Sequence, residues 1–195
     1  MSLPLLLWDV DDVLNPLTRL CWEDELRARF APELSWDMLR NNPPLPELNL
    51  SRMEYVAELD RFRQRITGTM MPVPEVMAFF EEYGNRFRSI VVSAAPVEMM
   101  PVSAAWVLQH FGKWIQSTIF VPSPRAGVTV GSAAFADKSE AVLALNGMLI
   151  DDAEANVEQV RRAGGKAMLF PAPWNSARKI CYSSFFSQLL KELDQ

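Results

Sequence analysis

Histidine is nearly absent: His110 is the sole one in 195 residues. A metal centre built from several histidines is therefore excluded, and His110 is expected on a helix surface or edge rather than in a mechanism. Cysteine is scarce too. Cys21 and Cys181 stand far apart and fit neither a zinc nor a dithiol spacing, so a reduced, cytoplasmic chain is the expectation. No apolar run approaches the ~18–20 residues that span a bilayer. The opening MSLPLLLWDVDD has no basic stretch and turns acidic too early for a signal peptide, so no membrane partner is expected. A surplus of positive charge is also missing: 19 Lys and Arg face 24 Asp and Glu, for a net charge of −5. That balance argues against a nucleic acid polymer as partner. It is compatible with a small anionic substrate, because a local site can be positive on an acidic protein.

What is present suits one domain carrying an insertion. The apolar fraction of 49% is ample for a packed core. Five short apolar runs read as strands: LPLLLWD (3–9), RSIVVS (88–93), QSTIFV (116–121), GMLID (147–151) and KAMLF (166–170). Each is continuous rather than alternating, as in a parallel sheet covered on both faces. Helical patterns separate them. PVPEVMAFFEEYG puts Val73, Val76, Met77 and Phe80 on one face and stops at Gly84, and VSAAWVLQHFG stops at Gly112, both read as helix-ending glycines. DKSEAVLALNG offers Asp137 as N-cap with Glu140 three residues later. The Gly164-Gly165 pair closes AEANVEQVRRAGG. Alternating strands and helices predict a doubly wound, Rossmann-like α/β fold with right-handed crossovers.

Residues 16–70 break this rhythm, with no convincing strand. LTRLCWEDELRARF and LSWDMLRNN look helical, NNPPLPELN is a proline-rich connector, and SRMEYVAELDRFRQRI is strongly helical. In the last, Ser51 and Glu54 form a capping-box pattern, and Met53, Val56, Leu59, Phe62 and Ile66 line one face. An all-helical insertion after the first strand is expected. The eight arginines within it are matched by nine acidic residues, so most are expected in surface ion pairs worth little, with one or two facing the substrate. Trp22 and Trp36 are expected in the insertion's own core. PSPRAGVTVGSAAFA (122–136) reads as a loop or small hairpin.

The run LLLWDVDDVLNP drives a core strand into three carboxylates. In an open α/β sheet, ligands bind beyond the carboxyl ends of the strands. Asp9 and Asp11 lie two residues apart, so an extended backbone would project them to one side. Converging carboxylates repel unless a cation separates them, and Mg²⁺ is the hard, oxygen-seeking candidate. Alone, such an acidic pair is a weak signal, since turns favour Asp. Three further features follow in order. The second strand ends at Ser93, whose hydroxyl and following N–H groups suit phosphate oxygens. Lys138 opens the helix before the fourth strand, and that strand ends in Asp151 and Asp152.

Together these features resemble the haloacid dehalogenase superfamily. Its first motif, an apolar strand followed by DxDx(T/V)L, is matched by LLLWDVDDVL; its second by Ser93, its third by Lys138 and its fourth by Asp151-Asp152. The resemblance covers the whole chain and divides it into a core domain of 1–15 and 71–195 and a helical cap of 16–70. The tail LIDDAEANVEQVRRAGGKAMLFPAPWN is similar to that of small-cap phosphatases of the 5′-deoxyribonucleotidase type. One departure stands out: Asp12 occupies the position where the family usually has Gly, adding charge without removing a catalytic group.

The resemblance implies a Mg²⁺-dependent phosphomonoester hydrolase acting on a small phosphorylated metabolite. Asp9 would be the nucleophile that becomes an aspartyl-phosphate. Asp11 would protonate the leaving oxygen and then deprotonate the attacking water, its main-chain carbonyl also reaching the metal. Asp152 would bind Mg²⁺ directly, with Asp151 acting through water or supporting Lys138. Ser93, Lys138 and the Ala94 N–H would hold the phosphoryl oxygens. Thr18, Arg19 and Trp22, shortly past Asp11, would select the substrate. A dehalogenase of the same fold is disfavoured, because dehalogenases lack the acid at Asp11. A phosphotransferase or phosphomutase, or a non-catalytic phospholigand-binding protein, would keep every motif.

Overall fold

The computed structural model describes residues 3–123 and 133–194. Most of the stretch read as a loop or hairpin over 122–136 lies outside the described residues. Five parallel strands form one sheet in the order β3-β2-β1-β4-β5, with β1 at Leu5–Trp8, β2 at Arg88–Ser93, β3 at Ile115–Phe120, β4 at Met148–Asp151 and β5 at Lys166–Leu169. The expected strands are all found, within two residues at each end. The order steps outward from β1 in both directions. That reversal makes a topological switch point at the carboxyl end of β1.

The apolar runs are continuous because both faces of the sheet are covered. Leu6 and Trp8 pack into one cluster, while Leu7 points into another with Val92, Leu149 and Val157. Trp8 is fully buried, its ring 4.9 Å from that of Phe80, and its indole N–H donates to Ser89 Oγ at 3.3 Å. Between the strands lie α5 (Pro74–Tyr83), α6 (Met100–Phe111), α7 (Lys138–Leu145) and α8 (Glu154–Arg162), and α9 (Tyr182–Leu193) ends the described chain. The two expected C-terminal glycines behave differently from expectation. Gly84 and Gly112 are right-handed helical, and a Cβ at Gly84 would lie 2.5 Å from the Trp114 side chain; close approach, not handedness, calls for glycine there. Gly164, at φ 86°, is the left-handed helix terminator that the pattern anticipates.

Between β1 and α5 the described backbone is helical and irregular. A helix runs through α1 (Leu17–Cys21), a π-helical turn (Trp22–Leu26) and α2 (Arg27–Phe30). The expected helix over LSWDMLRNN is reduced to a 3₁₀ turn at Trp36–Met38, and Leu39 is already extended. Prolines at 43 and 44 bias the preceding residues away from helix. A short α3 (Leu45–Leu48) precedes α4 (Arg52–Ile66), whose Ser51–Glu54 capping box is fully formed. The buried face of α4 is rotated from expectation: Tyr55, Leu59, Phe62 and Arg63 point inward, while Met53 is 80% exposed. This segment shares its apolar cluster with one face of the sheet, since Leu26, Leu39, Tyr55 and Phe62 join Trp8, Phe80 and Ile150 in it. Its two ends are tied together by Val73 N–H donating to Leu14 O at 2.9 Å.

Candidate active site

Parallel pairing decides which residues converge. Trp8 is in register with Val91 on one side and Ile150 on the other. Asp9 and Asp151, one residue past these positions, and Ser93, two past Val91, therefore reach the same edge of the sheet. Asp9 is fixed by its own N–H donating to Ile150 O at 3.0 Å. The backbone then turns, with Leu14 and Asn15 N–H both bonded to Val10 O. The chain past Asp9 is therefore not the extended backbone that the two-residue spacing presupposes. Each carboxylate has its own partners.

Asp9 Oδ2 lies 2.7 Å from Lys138 Nζ, and the same ammonium lies 2.6 Å from Asp151 Oδ2. Lys138 is buried at the first turn of α7, whose N-cap, Asp137, accepts from Glu140 N–H at 3.0 Å. Asp151 is fully buried and saturated. Beyond Lys138 it accepts from Ala153 N–H at 2.9 Å and from Asn156 Nδ2, 3.1 Å from each of its oxygens. Asp152 Oδ2 accepts from the Trp174 indole at 2.9 Å, and the carbonyl of Asp152 is held by Asn175 Nδ2 at 2.8 Å. Ser93 is buried at the end of β2. The backbone beyond it runs through Ala94 to a 3₁₀ turn at Val97–Met99 before α6 begins, so the helix does not start directly after the serine.

Asp11 has partners of its own. Its Oδ2 is 2.5 Å from Arg63 Nη2 on α4, and its Oδ1 accepts from Asn15 Nδ2 at 3.3 Å. Asp12 sits at φ 61° in the left-handed region, where Gly is the low-strain residue. An Asp tolerates that conformation when its side chain bonds locally, and Asp12 Oδ1 accepts from Thr18 N–H at 2.9 Å. Asp12 is thus a conformational substitute for the glycine of the motif that the sequence resembles.

The donor set fits a hard divalent cation. Asp9, Asp151 and Asp152 each offer a carboxylate oxygen, and these atoms all lie within 4.8 Å of one another. Among the described residues, Lys138 is the cation that ion pairs bring to this cluster, joining Asp9 and Asp151. Burial, together with repulsion from Asp151, pushes the Asp9 carboxyl up to about 7 even against the pull of Lys138. Burial and repulsion from Asp12, Asp151 and Asp9 raise Asp152 well above the ordinary carboxylate range. Carboxylates destabilised by mutual repulsion are the arrangement that a bound Mg²⁺ relieves. Asp152, with one oxygen uncommitted among the described residues, is better placed to bind it than Asp151, whose two oxygens already accept from Lys138, Ala153 and Asn156.

Of the three residues singled out for substrate selection, Thr18 is buried with its N–H bonded to Asp12, and Arg19 lines a cleft of about 370 Å³ with Asp12, Trp36, Trp174 and Tyr182. Trp22 is buried, its indole N–H without an acceptor among the described residues. Trp36 is not simply core: it also lines the cleft and packs edge-on against Trp174, ring centroids 5.3 Å apart. His110 sits in the last turn of α6, half-buried against Trp106. Sequence reasoning did not assign roles to Arg63, Asn15, Asn156, Trp174 or Asn175. The only signal for the last two was the PWN stretch.

No family model and no curated protein matches this sequence. Solved structures do match in fold. A hydrolase from Streptococcus pneumoniae TIGR4 superposes with a TM-score of 0.57 over 100% of both chains at 14% identity. A conserved haloacid dehalogenase-like protein from Agrobacterium tumefaciens gives 0.57 over 100% of both chains at 13% identity. The HAD-hydrolase YfnB from Bacillus subtilis, bound to magnesium, gives 0.54 over 100% of both chains at 14% identity. The chain has the haloacid dehalogenase-like fold.

Proposed function

We propose that the protein is a Mg²⁺-dependent phosphomonoester hydrolase acting on a small phosphorylated metabolite. The observation that carries this reading is the cluster of Asp9, Lys138, Asp151 and Asp152 at the switch point of the sheet. Asp9 is the nucleophile: its carboxylate attacks phosphorus and the ester P–O bond breaks. Asp11 gives its proton to the departing alcohol, then takes one from the water that attacks the aspartyl-phosphate. Lys138, the Ser93 hydroxyl and the Ala94 N–H hold the non-bridging oxygens while Asp151 and Asn156 fix Lys138 and its surroundings. Mg²⁺, held by Asp9, Asp152 and the Asp11 carbonyl, would neutralise phosphoryl charge. Residues 16–70 act as a cap over the site, admitting small substrates, and Arg19 faces them across the cleft. The nucleotidase-like tail makes deoxynucleoside monophosphates the first compounds to test. Among the described residues no helix is long and apolar enough to cross a membrane.

Hydrolysis of p-nitrophenyl phosphate tests the reading. Activity should require Mg²⁺, disappear with EDTA, be inhibited by Ca²⁺, and fall to background in Asp9→Asn with the fold intact. Full activity in EDTA, or wild-type turnover by the Asn variant, would refute it.

A further inference from the structure

The deepest ion pair between the inserted helices and the sheet ends on Asp11. Arg63 is one of eight arginines in residues 16–70, and unlike Arg19, Arg29, Arg61 and Arg65, each at least half exposed in its ion pair, its side chain is only 6% exposed. Its Nη2 reaches Asp11 Oδ2 at 2.5 Å across 52 residues of sequence. Asp60 lies 3.7 Å from Nη1, and Nε and Nη1 have no hydrogen-bond acceptor among the described residues. Withdrawing a guanidinium this far from water is expensive, and swapping such a pair for apolar side chains is often neutral or stabilising. Mere anchoring of α4 therefore accounts poorly for it.

Geometry offers a better account. A carboxylate that donates and then accepts a proton must keep one oxygen aimed at the reacting atoms through both halves of the reaction. Asn15 holds Oδ1 loosely at 3.3 Å, from the turn that Asp11 itself occupies. Arg63 holds Oδ2 tightly, from a helix outside that turn. We propose that Arg63 is a positioning residue for Asp11, so that the docked α4 helix sets the carboxylate that handles the proton. The inference rests on the phosphohydrolase reading. It adds that the inserted segment helps to assemble the proton-transfer apparatus, besides covering the substrate.

The step most exposed to this role is the second, in which water attacks the aspartyl-phosphate and Asp11 takes its proton. With p-nitrophenyl phosphate the first step needs little acid help, because nitrophenolate leaves readily. The test compares wild type with Arg63→Met, Arg63→Gln and Arg63→Lys in Mg²⁺, with thermal melts to select folded variants. In rapid mixing, Arg63→Met should release about one equivalent of nitrophenol per enzyme and then slow by roughly 10²-fold. The slow phase should accumulate enzyme heavier by one phosphoryl group. Arg63→Lys should recover part of the rate. Adding Arg63→Met to Asp11→Asn should change turnover by less than about twofold, because residues that act as a unit are non-additive. A residue that only anchors α4 would lower the folded fraction without a burst, and one that only binds substrate would raise KM; either outcome overturns the proposal. Absence of turnover in wild type would overturn the hydrolase reading itself, a result distinct from failure in the variants alone.

Discussion

The indole N–H of Trp174 donates to Asp152 Oδ2 at 2.9 Å, while the ring of Trp36 meets Trp174 edge-on at 86°. One carboxylate at the candidate cation site is thus oriented by a tryptophan that Trp36, in the helical stretch between β1 and α5, packs against. Partners that orient a ligand typically govern affinity by about 10–100-fold. Trp174→Phe removes the donor and keeps the ring, so its Mg²⁺ dissociation constant should rise by about that factor. Calorimetric titration of EDTA-treated protein checks this, and an unchanged constant would show that Asp152 does not depend on the indole.

Lys138 separates Asp9 from Asp151. Lys138→Met would leave two buried carboxylates facing each other, and breaking such a pair costs about 3–5 kcal/mol. Urea unfolding in EDTA should show a loss of that order, with Mg²⁺ restoring part of it. Equal stability of variant and wild type in EDTA would contradict the placement of the lysine.

At φ 61°, Asp12 occupies backbone that glycine adopts freely. Asp12→Gly should fold and retain hydrolysis, losing the bond to Thr18 N–H and the repulsion that Asp12 exerts on Asp152. Asp12→Val, β-branched and without an acceptor, should lose about 2 kcal/mol or more. Thermal melts of the two variants side by side decide the matter; equal melting temperatures would exclude a conformational role.

The two cysteines should differ in reactivity. Cys181 stands at the N-cap position of α9, and hydrogen bonds between its Sγ and the Ser183 and Ser184 hydroxyls pull its thiol down to about 7. Burial pushes the Cys21 thiol up to about 12. Thiolate, not thiol, is the nucleophile. Iodoacetamide should therefore label Cys181 at a rate that climbs between about pH 6 and pH 8 and then levels, as the thiolate form fills. Native protein should take one label, and Cys181→Ser none. Labelling of Cys21 in the folded protein would contradict its burial.

Much of the architecture was legible in local pattern. A short continuous apolar run such as LLLW suits a strand covered on both faces, and four-to-six-residue runs separated by helical periodicities leave few topologies besides a parallel doubly wound sheet. Once that sheet is granted, Asp9, Ser93 and Asp151 must meet, because each ends its strand at the same edge. The sequence by itself therefore determined the sheet, the edge where chemistry belongs and the acidic and basic groups that gather there. Tertiary structure alone decided the rest. Periodicity could not say which arginine of eight turns inward, since α4's buried face is set by the surface on which it docks; that docking exposes Met53 and carries Arg63 to Asp11. Nor could spacing show that the chain turns after Asp9, or that Trp174 returns to Asp152. Hydrophobic pattern is a property of neighbours three or four residues apart, whereas these contacts join residues 22 and 52 apart that meet only when separate elements pack.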